Sequence, residues 1–147
     1  MPEKDTIKRA RKAKREGKSA STQAGAFVRE EIEHIRKGKH GARSTKQAIA
    51  IGLSKARRAG VKLAPPKGSS SLRKKAEQDT AASKKRNGRT KTSAKRSRAV
   101  EGALKREPKS TASHKALSRQ AKESAATRGK QNRRQASLKA ARTRKAS

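Results

Sequence analysis

The sequence predicts a mostly α-helical protein: a small helix-turn-helix hairpin, preceded by a basic N-terminal helix and followed by a largely disordered basic tail containing weak helices. Two observations lead there. Aliphatic residues recur at helical spacing between capping serines and glycine stops only within residues 19–63. The remainder of the 147 residues is poor in anything to bury, since 29% of the chain is hydrophobic, mostly alanine, 37% is charged, and Phe27 is the one aromatic residue. Low hydrophobicity with high net charge is the composition of chains that cannot offset their ordering entropy.

The first segment, residues 1–18, reads as a short basic helix from about residue 4 to 17. Asp5 or Thr6 can cap it, Ile7, Ala10 and Ala13 follow at helical spacing, and Gly17 can end it. Lys8, Arg9, Arg11, Lys12, Lys14 and Arg15 supply its charge.

The second segment, residues 19–66, holds the hairpin. Ser19 or Ser21 can cap its first helix, on which Ala24, Phe27, Val28, Ile32 and Ile35 fall within one arc, with Gly38 as the stop. Arg29, Glu33 and Lys37 lie opposite at i, i+4 spacing, a solvated face. Glu31 falls inside the apolar arc and therefore requires a cation across the interface; Lys46 and Arg57 flank the opposing stripe and are the expected partners. Ser44 and Gln47 form the serine-x-x-glutamine pattern of a capping box. Ile49, Leu53 and Ala56 then make a stripe, with Ala48, Gly52 and Ala59 beside it where a second helix can approach closely. Gly60 and Val61 fit a left-handed cap, and Pro65-Pro66 prevents continuation. On this wheel Lys46, Lys55, Arg57 and Arg58 lie off the stripe, so the apolar residues dock the helix and the cations face outward. Ile51 sits among those cations, placed to touch the N-terminal helix or a second copy of the chain.

The third segment, residues 67–147, carries 26 of the 44 lysines and arginines against five acids. Residues 69–95 show no sustained period and are expected to be disordered. Weak helical patterns return near 97–107 and 111–128, separated by Pro108. Their faces are mostly alanine, which predicts helices that form marginally alone and firmly on a polyanion.

Charge narrows the function. A formal charge of +33 and a pI near 11.9 repel the chain from itself unless a polyanion neutralises it. Nucleic acid is the expected partner, with an anionic membrane surface as competitor. No apolar run is long enough for a membrane span, and "MPEKDTIKRA" lacks the apolar stretch of a secretory signal, so a cytoplasmic, nucleoid location is expected. Absence of cysteine excludes a disulfide framework and thiolate metal sites.

No catalytic constellation is visible. "EEIEH" (Glu30 to His34) lacks the paired histidines of a zinc-protease helix, and His34, His40 and His114 are too scattered in sequence to suggest a ligand set, so neither metal nor cofactor is expected. "GKHGARST" is a basic turn leading into a capped helix N-terminus, where free N–H groups favour a phosphate. With one Phe, on the apolar stripe, the chain lacks the rings on which single strands stack, which favours the duplex backbone. The candidate nucleic-acid-binding residues are Lys39, Arg43, Lys46, Lys55, Arg57, Arg58, Lys62, Lys84, Lys85, Arg86, Arg133 and Arg134.

"STQAGAFVREEIEHIRKGKHGARSTKQAIAIGLSKARRAGVKL" resembles an uncharacterised family of small basic bacterial proteins whose domain is of unknown function. "KQAIAIGLSKARRAG" looks like a module recurring in small bacterial and phage proteins, and the tail blocks "ALKRE" and "SHKALSRQAKESA" resemble members of the same family. The lysine and alanine richness is similar to histone H1-like bacterial proteins. The first resemblance implies a bacterial cytoplasmic protein and brings no activity. The expectation is a non-enzymatic, largely sequence-nonspecific DNA-binding protein. An RNA- or ribosome-associated protein, and an interaction module whose hairpin binds a protein partner through Ile51 and its neighbours, stand as alternatives; self-association through the hairpin is a separate expectation.

Overall fold

Serine caps and glycine stops delimit the hairpin helices where the sequence places them. The computed structural model describes residues 2–84 and 93–145 and divides into two compact units, residues 1–112 and 113–147. The first unit contains α1 (Lys4–Arg15), α2 (Ala20–Arg36), α3 (Thr45–Arg58), α4 (Ser70–Lys84), α5 (Ala94–Arg106) and a short 3-10 turn (Ser110–Ala112). The second contains α6 (His114–Thr127) and α7 (Gly129–Lys145). Among the described residues there is no strand, and no helix is long and apolar enough to cross a membrane.

Ser19 Oγ accepts from Thr22 N at 3.3 Å, and Ser44 Oγ from Gln47 N at 3.2 Å. Gln47 closes its half of the box one residue early, accepting from Arg43 N at 2.7 Å. α3 ends at Gly60, whose φ of +91° suits a residue without a Cβ; Gly60 N bonds Arg57 O and Val61 N bonds Ala56 O, both at 3.0 Å. Val61 is buried, as its hydrophobic contact requires. The N-cap of α1 is Glu3 rather than Asp5 or Thr6. Ile7 N already bonds Glu3 O at 3.2 Å, and Thr6 is turned into the interior instead of across the helix end.

α1, α2 and α3 enclose the main core. Phe27, 1% exposed, packs with Ala10, Ala24, Ala56 and Val61, and Ile7, Ala20, Leu53 and Leu63 lie around them. A core built so largely from alanine demands close helix approach, because small side chains fill little space between axes. Gly52 supplies it: a Cβ there would stand 2.7 Å from Val28 Cα. Ile51 is half-buried.

The expectation of disorder over 69–95 is corrected for its first part. Ser70–Lys84 is helical and packs on α3, with Ala76 and Asp79 buried. Ser54 Oγ donates to Asp79 Oδ2 at 2.6 Å and Arg58 Nε to Oδ1 at 2.8 Å. The anchor is a carboxylate, which a search for apolar periodicity passes over.

The segment after α5 is also part of the first unit. Gly41 N donates to Leu104 O at 2.8 Å, Ala42 N to Pro108 O at 3.1 Å, Arg36 Nε to Ala112 O at 2.8 Å and Thr45 Oγ1 to Thr111 O at 2.7 Å. Residues 104–112 therefore strap the α2–α3 turn, burying Ala42 and Ala112 completely. In the second unit, α6 realises the weak pattern near 111–128, capped by Ser113. α7 lies where no helix was expected; its lysines, arginines, glutamines and alanines are strong helix formers, and nothing in it is buried.

Candidate nucleic-acid interface

The basic turn before α3 is not the open phosphate cradle that its composition suggests. Its backbone donors at Gly41 and Ala42 are bonded to the strap, and the Arg43 donor is taken by Gln47. A Cβ at Gly41 would overlap the Glu107 carbonyl, so the strap lies directly against the turn. Tertiary contact and the Gln47 side chain thus use the N–H groups of the turn itself, those of Gly41, Ala42 and Arg43.

Two of the proposed cations face inward, contrary to their place on the wheel. Lys55 Nζ lies 2.6 Å from Glu31 Oε2 and 3.7 Å from Glu30 Oε1, and its side chain is only 22% exposed. Arg57 is 9% exposed and donates from Nη2 to Ala64 O at 3.3 Å, holding the linker after α3. Glu31 thus finds a cation, as its apolar setting requires, but the partner is Lys55 and neither Lys46 nor Arg57. α2 and α3 approach closely at Val28 and Gly52, where a Cβ would stand 2.7 Å from Val28 Cα, and Glu31 and Lys55 lie within one turn of those residues on their own helices. The pair is at the centre of the contact, with Glu31 1% exposed, rather than at its edge.

Lys39, Arg43, Lys46, Arg58, Lys62 and Lys84 are exposed on the first unit, and Arg133 and Arg134 on the second. Lys85 and Arg86 lie outside the described residues. Lys39 and Arg58 come together with two cations that sequence reasoning missed, Lys75 on α4 and Arg96 on α5, around a cleft of about 800 Å³. Val100 and Leu104 give this cleft an apolar flank, and His34 and His40 line it as well. Lys75 and Arg96 belong to the tail, and only the docking of α4 and the strap brings them to the hairpin. No short-range motif could have signalled them.

Acidic residues tune this surface. Burial pushes the Asp79 carboxyl up, but the hydrogen bonds from Ser54 and Arg58, with the charges of Arg58 and Lys75, outweigh it and leave the pKa below the ordinary aspartate value. Asp79 consequently stays ionised and orients Arg58 at the cleft. Glu3 is likewise held below the ordinary glutamate range, first by its hydrogen bond to His34 and then by Lys39, which lie 2.9 and 3.3 Å from its Oε1.

The histidines are less scattered than their spacing suggests. His34 and His40 meet edge to face, with ring centroids 6.3 Å apart, and His40 Nε2 lies 3.2 Å from Glu31 Oε1. His114 belongs to the second unit.

The cleft cations can bind phosphate. Comparison with known proteins supplies a family likeness without an activity. No curated protein and no solved structure matches the chain. Residues 4–68, from α1 through α3 and the following linker, match the model of a family of unknown function (DUF6496).

Proposed function

We propose that this chain is a non-enzymatic, histone-like DNA-binding protein that contacts duplex phosphates with little regard to base sequence, in the manner of a nucleoid-associated protein. The observation that carries the reading is the surplus of charge: 44 lysines and arginines stand against 11 acids. Burial of Phe27 supports a duplex, since the one aromatic ring is withdrawn from solvent and offers no face for a base. Lys39, Arg58, Lys75 and Arg96 hold one run of phosphates at the cleft, and the exposed cations of the tail neutralise others.

The helices α5, α6 and α7 contain no buried residue, so packing contributes little to their stability. Neutralisation by a polyanion removes the repulsion between their cations and firms them. The decisive experiment is binding to unrelated duplexes and to RNA of equal length across a salt series. Steep, sequence-independent loss of duplex affinity with salt is expected. A shallow slope, or a marked preference for RNA, overturns the reading in favour of a protein-binding or ribosome-associated role.

A further inference from the structure

The geometry points to a divalent transition-metal site formed by Glu31, His34 and His40. A nitrogen from each ring and a carboxylate oxygen of Glu31 lie within 4.8 Å of one another. Glu31 and His34 are three residues apart on α2, which puts both on one face, and the turn strapped by residues 104–112 returns His40 to them.

Each prospective ligand is held by an outer partner. His40 Nδ1 is 3.0 Å from the Gly41 carbonyl, which can only accept, so Nδ1 carries a proton and the other nitrogen, Nε2, is directed at Glu31. His34 Nε2 is 2.9 Å from the Glu3 carboxylate, and Glu31 Oε2 is held by Lys55 at 2.6 Å, leaving Oε1 toward His40. Ring nitrogens bonded to a carboxylate or a backbone carbonyl are the usual second partners of metal-binding histidines.

His40 Nε2 and Glu31 Oε1 face each other at 3.2 Å, a contact that either a proton on Nε2 or a metal ion bound by both atoms satisfies. That separation matches the ~3.3 Å between two ligand atoms bound tetrahedrally at ~2.0 Å to one zinc ion. Charge agrees: the buried carboxylates of Glu30 and Glu31 share Lys55, and Glu30 Oε1 has no hydrogen-bond partner. This pocket of negative charge within a strongly basic chain can accept a cation. Both histidines line the cleft, which supplies the entry path. Two imidazoles and one carboxylate suit zinc or its late first-row neighbours rather than magnesium or calcium.

The test uses the full chain, freed of metal with EDTA and titrated with zinc chloride by calorimetry near neutral pH. One ion per chain is expected, with a dissociation constant of about 10 µM or tighter. His34→Ala and His40→Ala should each weaken binding at least about tenfold, and His114→Ala should leave it unchanged. Folding of each variant is checked by circular dichroism. Independently of the variants, zinc should shift the ring nitrogen signals of two histidines in the wild-type chain and spare the third. Absence of binding at 100 µM zinc, loss of binding in the His114 variant, or full retention in either of the other two overturns the site.

Discussion

Lys55 Nζ stands 2.6 Å from Glu31 Oε2 inside an interface where Glu31 is 1% exposed. Loss of either partner leaves the other charge buried, and that penalty, rather than the net attraction of the pair, sets the cost. Lys55→Met should destabilise the first unit by about 3 kcal/mol. Glu31→Gln should act in the same direction, and the double variant should lose less than the sum of the two. Urea unfolding followed by helicity measures all three, and strictly additive losses would show that the residues are not coupled.

Gly52 is the second point on which the α2–α3 contact rests. A methyl group there would meet Val28 Cα at 2.7 Å and Val28 N at 3.0 Å, backbone that cannot swing aside. Gly52→Ala should cost about 1–3 kcal/mol through overpacking, although alanine is the better helix former. A stabilised variant in thermal melts would refute the close approach.

Docking of α4 should depend on acid through Asp79. Its folded pKa lies below the ordinary value, so its contribution is fully present above the unfolded pKa of about 3.9 and is lost as pH falls through the folded one. Hydrogen exchange of residues 70–84 should accelerate when the pH is lowered below about 4, once corrected for the intrinsic pH dependence of exchange. Asp79→Asn should expose α4 already at neutral pH and remove this acid dependence.

The cleft and the interior make opposite demands on their cations. Lys39→Ala and Arg96→Ala should weaken duplex binding evenly across sequences and lower the logarithmic salt slope by about one each. Arg57→Met, which alters a buried cation bonded to Ala64, should leave the slope unchanged. Anisotropy titrations at several salt concentrations separate the two outcomes.

The sequence by itself determined the hairpin's helices and their ends, because capping, glycine stops and the 3.6-residue period act between residues a few positions apart. It also determined the excess of positive charge, and the need of Glu31 for a cation. Which cation answered was a tertiary matter: a helical wheel fixes angles around one axis, whereas the packing of α2 on α3 puts Lys55, and neither Lys46 nor Arg57, against Glu31. Tertiary structure likewise recruited α4 through Asp79, closed the basic turn beneath residues 104–112, and joined Lys75 and Arg96 to Lys39 and Arg58. These contacts are polar and distant in sequence, so they leave no periodic trace in the chain. The meeting of His34 with His40 has the same origin: six residues of spacing carry no direction until the strapped turn supplies one.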